Sequence, residues 1–252
     1  MNRPQTDLVL LHGWGMNSAV WDGLSPSLEQ RFRPHAIDLP GHAGQSFDAG
    51  RRWLPDWADA CLSQAPEQAV WLGWSLGGLV AMQAALQAPK RVRALILMTS
   101  TPRFVQAVDW RAAVAEETLA QFSAGLLEDP TGTLERFLAL QVRGSVEERA
   151  TLRLLRAELA QRPPPLPEAL AAGLELLRDE DLRGPLPDIR APTLWLFGER
   201  DTLTPAAVAE RVVLLMPESR CRVIAGAAHA PHLSHPDAVV AEINAFLDDI
   251  AL

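Results

Sequence analysis

Residues 71–78 read WLGWSLGG, which sets Ser75 between Gly73 and Gly77, two positions to either side. The run AVWLG at 69–73 predicts a buried strand and LGGLVAMQAALQA at 76–88 predicts a helix, so the serine falls in the turn between them. A sharp strand-to-helix turn strains its central residue. It also brings the positions two before and two after against neighbouring backbone, where a Cβ would collide. Glycine at 73, 77 and 78 meets that demand, and such a turn presents a serine hydroxyl at the top of a sheet as a nucleophile. The five-residue pattern by itself is more often a chance match in a tight turn. The strand before it and the helix after it are what give it weight.

The same alternation extends outward. LVLL (8–11), RPHAIDL (33–39) and VRALILM (92–98) read as further buried strands, with helical spacing at 18–30 and 54–64 between them. Strand and helix in alternation imply βαβ units and a parallel sheet. From about 103 to 183 the rhythm stops. That segment has no convincing strand, carries ten arginines, and shows amphipathic helical patterns at 112–127 and 133–141 with a breaker, RPPPLP, at 162–167. Strands return at 193–198 and 219–226, and helices at 205–215 and 236–250. The expected fold is α/β: a mostly parallel central sheet flanked by helices. Residues 1–102 and 184–252 form the core, and a helical cap is inserted at 103–183. There are no internal repeats.

Composition narrows the function. A chain of 252 residues with 48% hydrophobic content can bury a large core. A formal charge of −8 argues against nucleic acid as a partner, because neutralising phosphates needs a basic surface. Only Cys61 and Cys221 are present, in no CxxC pattern, which suits free thiols in a reducing compartment. The N-terminal apolar run is too short for a signal peptide, and no run approaches the ~18–20 apolar residues of a membrane span. A cytoplasmic protein with no membrane partner is expected.

A serine hydroxyl is a poor nucleophile until a base takes its proton, and in this architecture the order is serine, then acid, then histidine. TLWLFGERDTLTP places Asp201 just beyond one strand, and RVIAGAAHAPHLSHP places His229 just beyond the next. Catalytic groups of open α/β sheets collect at the carboxyl ends of strands, where all three would lie. Glu199 and Asp188 are rival acids, and His232 and His235 rival bases. The spacing HAPHLSH also invites a metal reading, but Pro231 and Pro236 break any regular face and no carboxylate or cysteine completes a ligand set, so neither metal nor cofactor is expected. Two backbone N–H donors should hold the oxyanion: Leu76, after the nucleophile, and Trp14, in the loop LLHGWGMN. His12 reads as a structural residue and Trp71 as core. Trp74 and Phe137 are candidates for an acyl channel.

LVLLHGWGMNSAVW, IDLPGH, WLGWSLGGLVA, LFGERDTLTP and AGAAHAPHLSHP together resemble the α/β-hydrolase superfamily along nearly the whole chain. Within it, HGWGMNSAVW, WLGWSLGGL, ERFLALQ and AHAPHLSHP resemble the family of pimeloyl-acyl-carrier-protein methyl ester esterases of biotin synthesis. The resemblance implies a triad of Ser75, Asp201 and His229 in a monomer. It puts substrate contacts at Trp14, Leu76 and the run Phe137, Leu138, Ala139, Leu140 and Gln141. The implied substrate is a methyl ester carried on acyl carrier protein, with Arg136, Arg149 and Arg153 docking the carrier. Two departures stand out: Gly132 replaces a family arginine one turn before Arg136, and DLPGHAGQS is one residue longer than the usual loop.

Charge supports part of that implication independently. Arg136, Arg143, Arg149, Arg153, Arg156 and Arg162 stand among only Glu135, Glu147, Glu148 and Glu158, a local charge of about +2 on an acidic molecule. Arg149, Arg153 and Arg156 share one helical face. A solvated helix laced with Glu–Arg pairs is the plain alternative. The same fold also hosts carboxylesterases for short acyl esters, carbon–carbon bond hydrolases and non-catalytic binding proteins.

Overall fold

A computed structural model describes residues 5–252. Residues 1–4, which belong to the expected core segment and to the N-terminal stretch weighed as a leader, lie outside the described residues. Six strands form one sheet in the order β2-β1-β3-β4-β5-β6, every neighbouring pair parallel. They are β1 Thr6–Leu11, β2 Phe32–Ile37, β3 Ala69–Trp74, β4 Val92–Met98, β5 Thr193–Gly198 and β6 Arg220–Ile224. The helices are α1 Ser25–Leu28, α2 Leu54–Gln64, α3 Leu76–Gln87, α4 Glu116–Glu128, α5 Pro130–Val142, α6 Glu148–Leu159, α7 Pro167–Asp179, α8 Val208–Leu215, α9 Pro231–Ser234 and α10 Pro236–Asp249.

The central strands read as continuous apolar runs because both faces of the sheet are covered. Alternate residues still go to opposite sides. Val9, Leu11, Trp71, Leu95, Leu97, Trp195 and Phe197 pack with α2, α3 and α8. Leu8, Leu10, Val70, Leu72, Ile96, Met98, Leu194 and Leu196 pack with α1 and α10. At ~25 cal/mol per Å² of apolar surface removed from water, this two-sided burial is the main force holding the sheet.

The stretch at 18–30, expected as one helix, is broken. Asn17 caps a short 3-10 turn over Ser18–Trp21, and α1 then spans four residues. Pro26 has no N–H to extend the earlier turn into it. The helix expected from 112 starts at 116. Residues before it form a tight turn, bridged Val105 to Val114 and Ala107 to Trp110, that takes up the backbone groups a helix would need. Between β4 and β5 lie α4 to α7, with PPPL (163–166) separating α6 from α7.

Candidate active site

Ser75 sits between β3 and α3 with φ 55° and ψ −120°, a conformation that costs an L-residue of order 1–3 kcal/mol and persists only where surroundings enforce it. The surroundings here are specific. A Cβ on Gly73 would overlap the carbonyl of Gly77 and lie 2.6 Å from Cα of Gly78. A Cβ on Gly77 would lie 2.5 Å from the carbonyl oxygen of Leu11 and 2.6 Å from that of His12. The turn is tied to the end of β4: the Ser75 N–H donates to Met98 O at 3.0 Å, and the Ser100 hydroxyl donates to Ser75 O at 2.8 Å.

His229 follows β6 and Asp201 follows β5, and both reach Ser75. His229 Nε2 lies 2.9 Å from Ser75 Oγ, and His229 Nδ1 lies 2.8 Å from Asp201 Oδ2. Asp201 is an acceptor for four donors: the N–H groups of Leu203 (2.8 Å) and Thr204 (3.0 Å), the Thr204 hydroxyl, and His229. A carboxylate accepts only, so Nδ1 carries the imidazole proton and Nε2 is free to accept from the serine. All three side chains are 5% exposed or less, which strengthens their electrostatic coupling. The only trace of Thr204 in the sequence is the TLTP that follows Asp201.

The rival residues lie elsewhere. Glu199 accepts from the Gly226 N–H at 2.8 Å, and Asp188 is exposed. His235 Nδ1 lies 2.8 Å from the Ser234 hydroxyl. His232 is buried against Trp21 and Trp74, and burial, followed by the nearby His229, lowers its pKa to about 3. His12 has its own fixed role: Nδ1 meets Gly13 O at 2.8 Å and Nε2 accepts from the Leu39 N–H at 3.0 Å, with burial lowering its pKa to about 4.

Neither the Leu76 N–H nor the Trp14 N–H donates a hydrogen bond among the described residues, although both residues are fully buried. The Trp14 indole N–H is committed, to Leu170 O of α7 at 2.8 Å. Gly173 of α7 sits directly over the pair: a Cβ there would lie 2.7 Å from Trp14 Cδ1 and 3.3 Å from Leu76 Cδ2. The run 137–141 of α5 does not present one face. Phe137 packs edge-on against Trp14 at 4.7 Å, and Leu140 packs on the same side of the sheet. Leu138 turns into the opposite core cluster and Ala139 faces solvent, as helical rotation of 100° per residue requires. Gln141 is buried with its Nε2 unpartnered among the described residues, and its carbonyl accepts from the His229 N–H at 3.0 Å. Trp74 is fully buried, and its indole N–H donates to His229 O at 2.7 Å.

Arg136, Arg149 and Arg153 are exposed, and none is ion-paired among the described residues. Arg136 donates to the Thr133 hydroxyl at 2.6 Å, whereas Arg156 is held by Glu135 at 2.8 Å. At Gly132 the Asp129 carboxylate, which caps α5 through the Gly132 N–H at 2.9 Å, occupies the place of a Cβ. The longer loop at 38–46 closes through Gly41 N–H to Ser46 O at 3.1 Å. It meets the segment before α7 where the Leu166 N–H donates to Gly41 O at 2.8 Å.

A strained serine on a strand-to-helix elbow, with a histidine and a carboxylate delivered by two later strand ends of a parallel sheet, defines an α/β hydrolase. The chain belongs to the alpha/beta hydrolase family, whose model matches residues 8–242. It belongs, more narrowly, with proteins named pimeloyl-[acyl-carrier protein] methyl ester esterase. The one from Pectobacterium atrosepticum is 48% identical over 241 residues, covering 96% of this chain and 94% of that protein. The one from Xanthomonas oryzae is 44% identical over 243 residues, covering 96% and 95%. An esterase from Exiguobacterium antarcticum superposes with a TM-score of 0.85 over 98% of this chain and 93% of that one; at 21% identity it speaks for the fold alone.

Proposed function

We propose that the protein is a serine carboxylesterase that hydrolyses the methyl ester of pimeloyl-acyl-carrier protein, releasing methanol and the free pimeloyl-carrier protein for biotin biosynthesis. The observation that carries the chemistry is the unbroken line of contacts from Ser75 through His229 to Asp201. The choice of substrate is supported by the name shared by relatives that match this chain almost end to end.

In this reading Ser75 Oγ attacks the ester carbonyl as its proton passes to His229 Nε2. Asp201 keeps Nδ1 protonated and stabilises the imidazolium. The oxyanion takes the free N–H groups of Leu76 and Trp14, each worth on the order of 10² to 10³ in rate. His229 returns the proton to the methoxy oxygen and methanol leaves. Water then attacks the acyl-enzyme, giving its proton to His229, and Ser75 is regenerated. The cap, 103–183, covers this site through Phe137, Leu140 and Gln141, while Leu138 and Ala139 serve the helix rather than the acyl chain. Acyl carrier protein is acidic, and Arg136, Arg149 and Arg153, exposed and without an ion-pair partner among the described residues, offer it a basic face on an acidic molecule. The protein works as a monomer in the cytoplasm. Among the described residues no helix is long and apolar enough to cross a membrane.

The test compares carrier-bound pimeloyl methyl ester with p-nitrophenyl esters, alongside complementation of a biotin-requiring strain that lacks this esterase. Preference for the carrier substrate and Ser75-dependent growth are expected. Equal use of small esters with no effect of the carrier would make it a general carboxylesterase instead.

A further inference from the structure

His229 is held by its main chain as well as by its ring. Its N–H donates to Gln141 O of α5 at 3.0 Å. Its carbonyl accepts two side-chain donors at once, the Trp74 indole N–H at 2.7 Å and the Thr99 hydroxyl at 2.8 Å. The peptide planes on both sides of the His229 Cα are therefore fixed, and with them the point from which the imidazole swings. The two donors come from the ends of adjacent strands, β3 and β4. Trp74 immediately precedes the nucleophile, so one residue's backbone carries Ser75 while its side chain holds the base.

Thr99 adds an independent sign. It is a fully buried β-branched residue with φ 42°, a left-handed conformation that such side chains rarely adopt. Its N–H is bound to Leu196 O at 2.7 Å, and its hydroxyl is aimed at His229. Strain kept at a buried position beside a reacting centre marks a constraint that the surroundings enforce.

We infer that Thr99 and Trp74 are positioning residues for the general base, a pair of donors that clamps the His229 carbonyl and keeps Nε2 within proton-transfer reach of Ser75. Trp74 therefore serves the base through its indole N–H, with its ring packed edge-on against His232 at 4.5 Å. The inference rests on the proposed roles of Ser75 and His229.

The test uses Thr99→Val, which removes the hydroxyl at nearly constant shape, Thr99→Ser, which keeps a donor, and Trp74→Phe, which removes the indole N–H but leaves a ring. Turnover of a p-nitrophenyl ester and the rate of fluorophosphonate labelling are measured, with Ser75→Ala as the blank. Thr99→Val and Trp74→Phe are each expected to lower kcat and the labelling rate about tenfold, as loss of one buried hydrogen bond at the base implies. KM should stay within about twofold, and Thr99→Ser should retain most of the wild-type rate. Wild-type kcat in Thr99→Val, or an equal loss in Thr99→Ser, overturns the inference. If Thr99→Val does not fold, Trp74→Phe decides, and wild-type kcat there overturns it as well. Absence of labelling in the wild type would instead sink the underlying assignment of Ser75.

Discussion

His229 Nε2 stands 2.9 Å from Ser75 Oγ although 154 residues separate them in the chain. With Asp201 on the other ring nitrogen, the imidazole has one tautomer open to it. Asp201→Asn, which can present an N–H to Nδ1 and reverse that tautomer, is expected to lower kcat by on the order of 10⁴. Ser75→Ala should abolish covalent labelling altogether. Retained turnover by either variant in a clean preparation would remove the proposed mechanism.

The elbow should tolerate no side chain at position 77. Gly77→Ala pushes a methyl against the carbonyls of Leu11 and His12, backbone atoms at the end of β1 that cannot rotate aside. A loss of stability of about 1–3 kcal/mol or more is expected, read as a lowered denaturant midpoint. An unchanged midpoint would show that the turn has room the geometry denies.

Reversing Arg149 and Arg153 to Glu should cut kcat/KM for carrier-bound substrate far more than for p-nitrophenyl esters. The surviving difference should shrink as ionic strength rises. Equal losses on both substrates would place the docking face elsewhere. Arg156→Ala, by contrast, should act through Glu135, its partner across α5 and α6, and matter little to docking.

Acid stability carries a signed expectation. His12, His42 and His232 are fully buried, and desolvation lowers their pKa values to about 4, 3 and 3. In the unfolded chain each takes a proton near pH ~6.5. Their contribution to stability is therefore whole above that pH and is lost as pH falls toward the folded values, by roughly 1.4 kcal/mol per pH unit for each histidine. Tm should fall between pH 7 and 5, and His232→Leu should show a smaller fall than the wild type. A parallel fall in both would mean that His232 is not buried as a neutral ring.

Much of this was legible because burial writes itself into apolar runs. β4 and α2 match their expected limits, 92–98 and 54–64: Arg91 and Thr99 bracket the mostly apolar strand, and Pro55 in the first turn and Pro66 just past the end punctuate the helix. The serine, acid and histidine were legible from strand ends and chain order. What escaped depends on tertiary partners. The break at 18–30 is the exception and is local: Pro26 stands in the sequence, but the apolar periodicity runs across it. A family run such as FLALQ names five consecutive residues, while the helix turns Leu138 and Ala139 away. Thr99 and Thr204 are ordinary loop threonines until folding brings His229 and Asp201 beside them.

Trp14 divides its two nitrogens between two parts of the molecule. The main-chain N–H meets no acceptor among the described residues, and the indole N–H is spent on Leu170 in α7, where Gly173 leaves just enough clearance. A chimera that grafted a foreign cap onto this core would strand a buried indole unless the incoming helix brought both a matching carbonyl and a glycine three residues beyond it. In this molecule the fit between α7 and the sheet is thus decided at the loop after β1, well away from the chain junctions after β4 and before β5 where such a splice would be made.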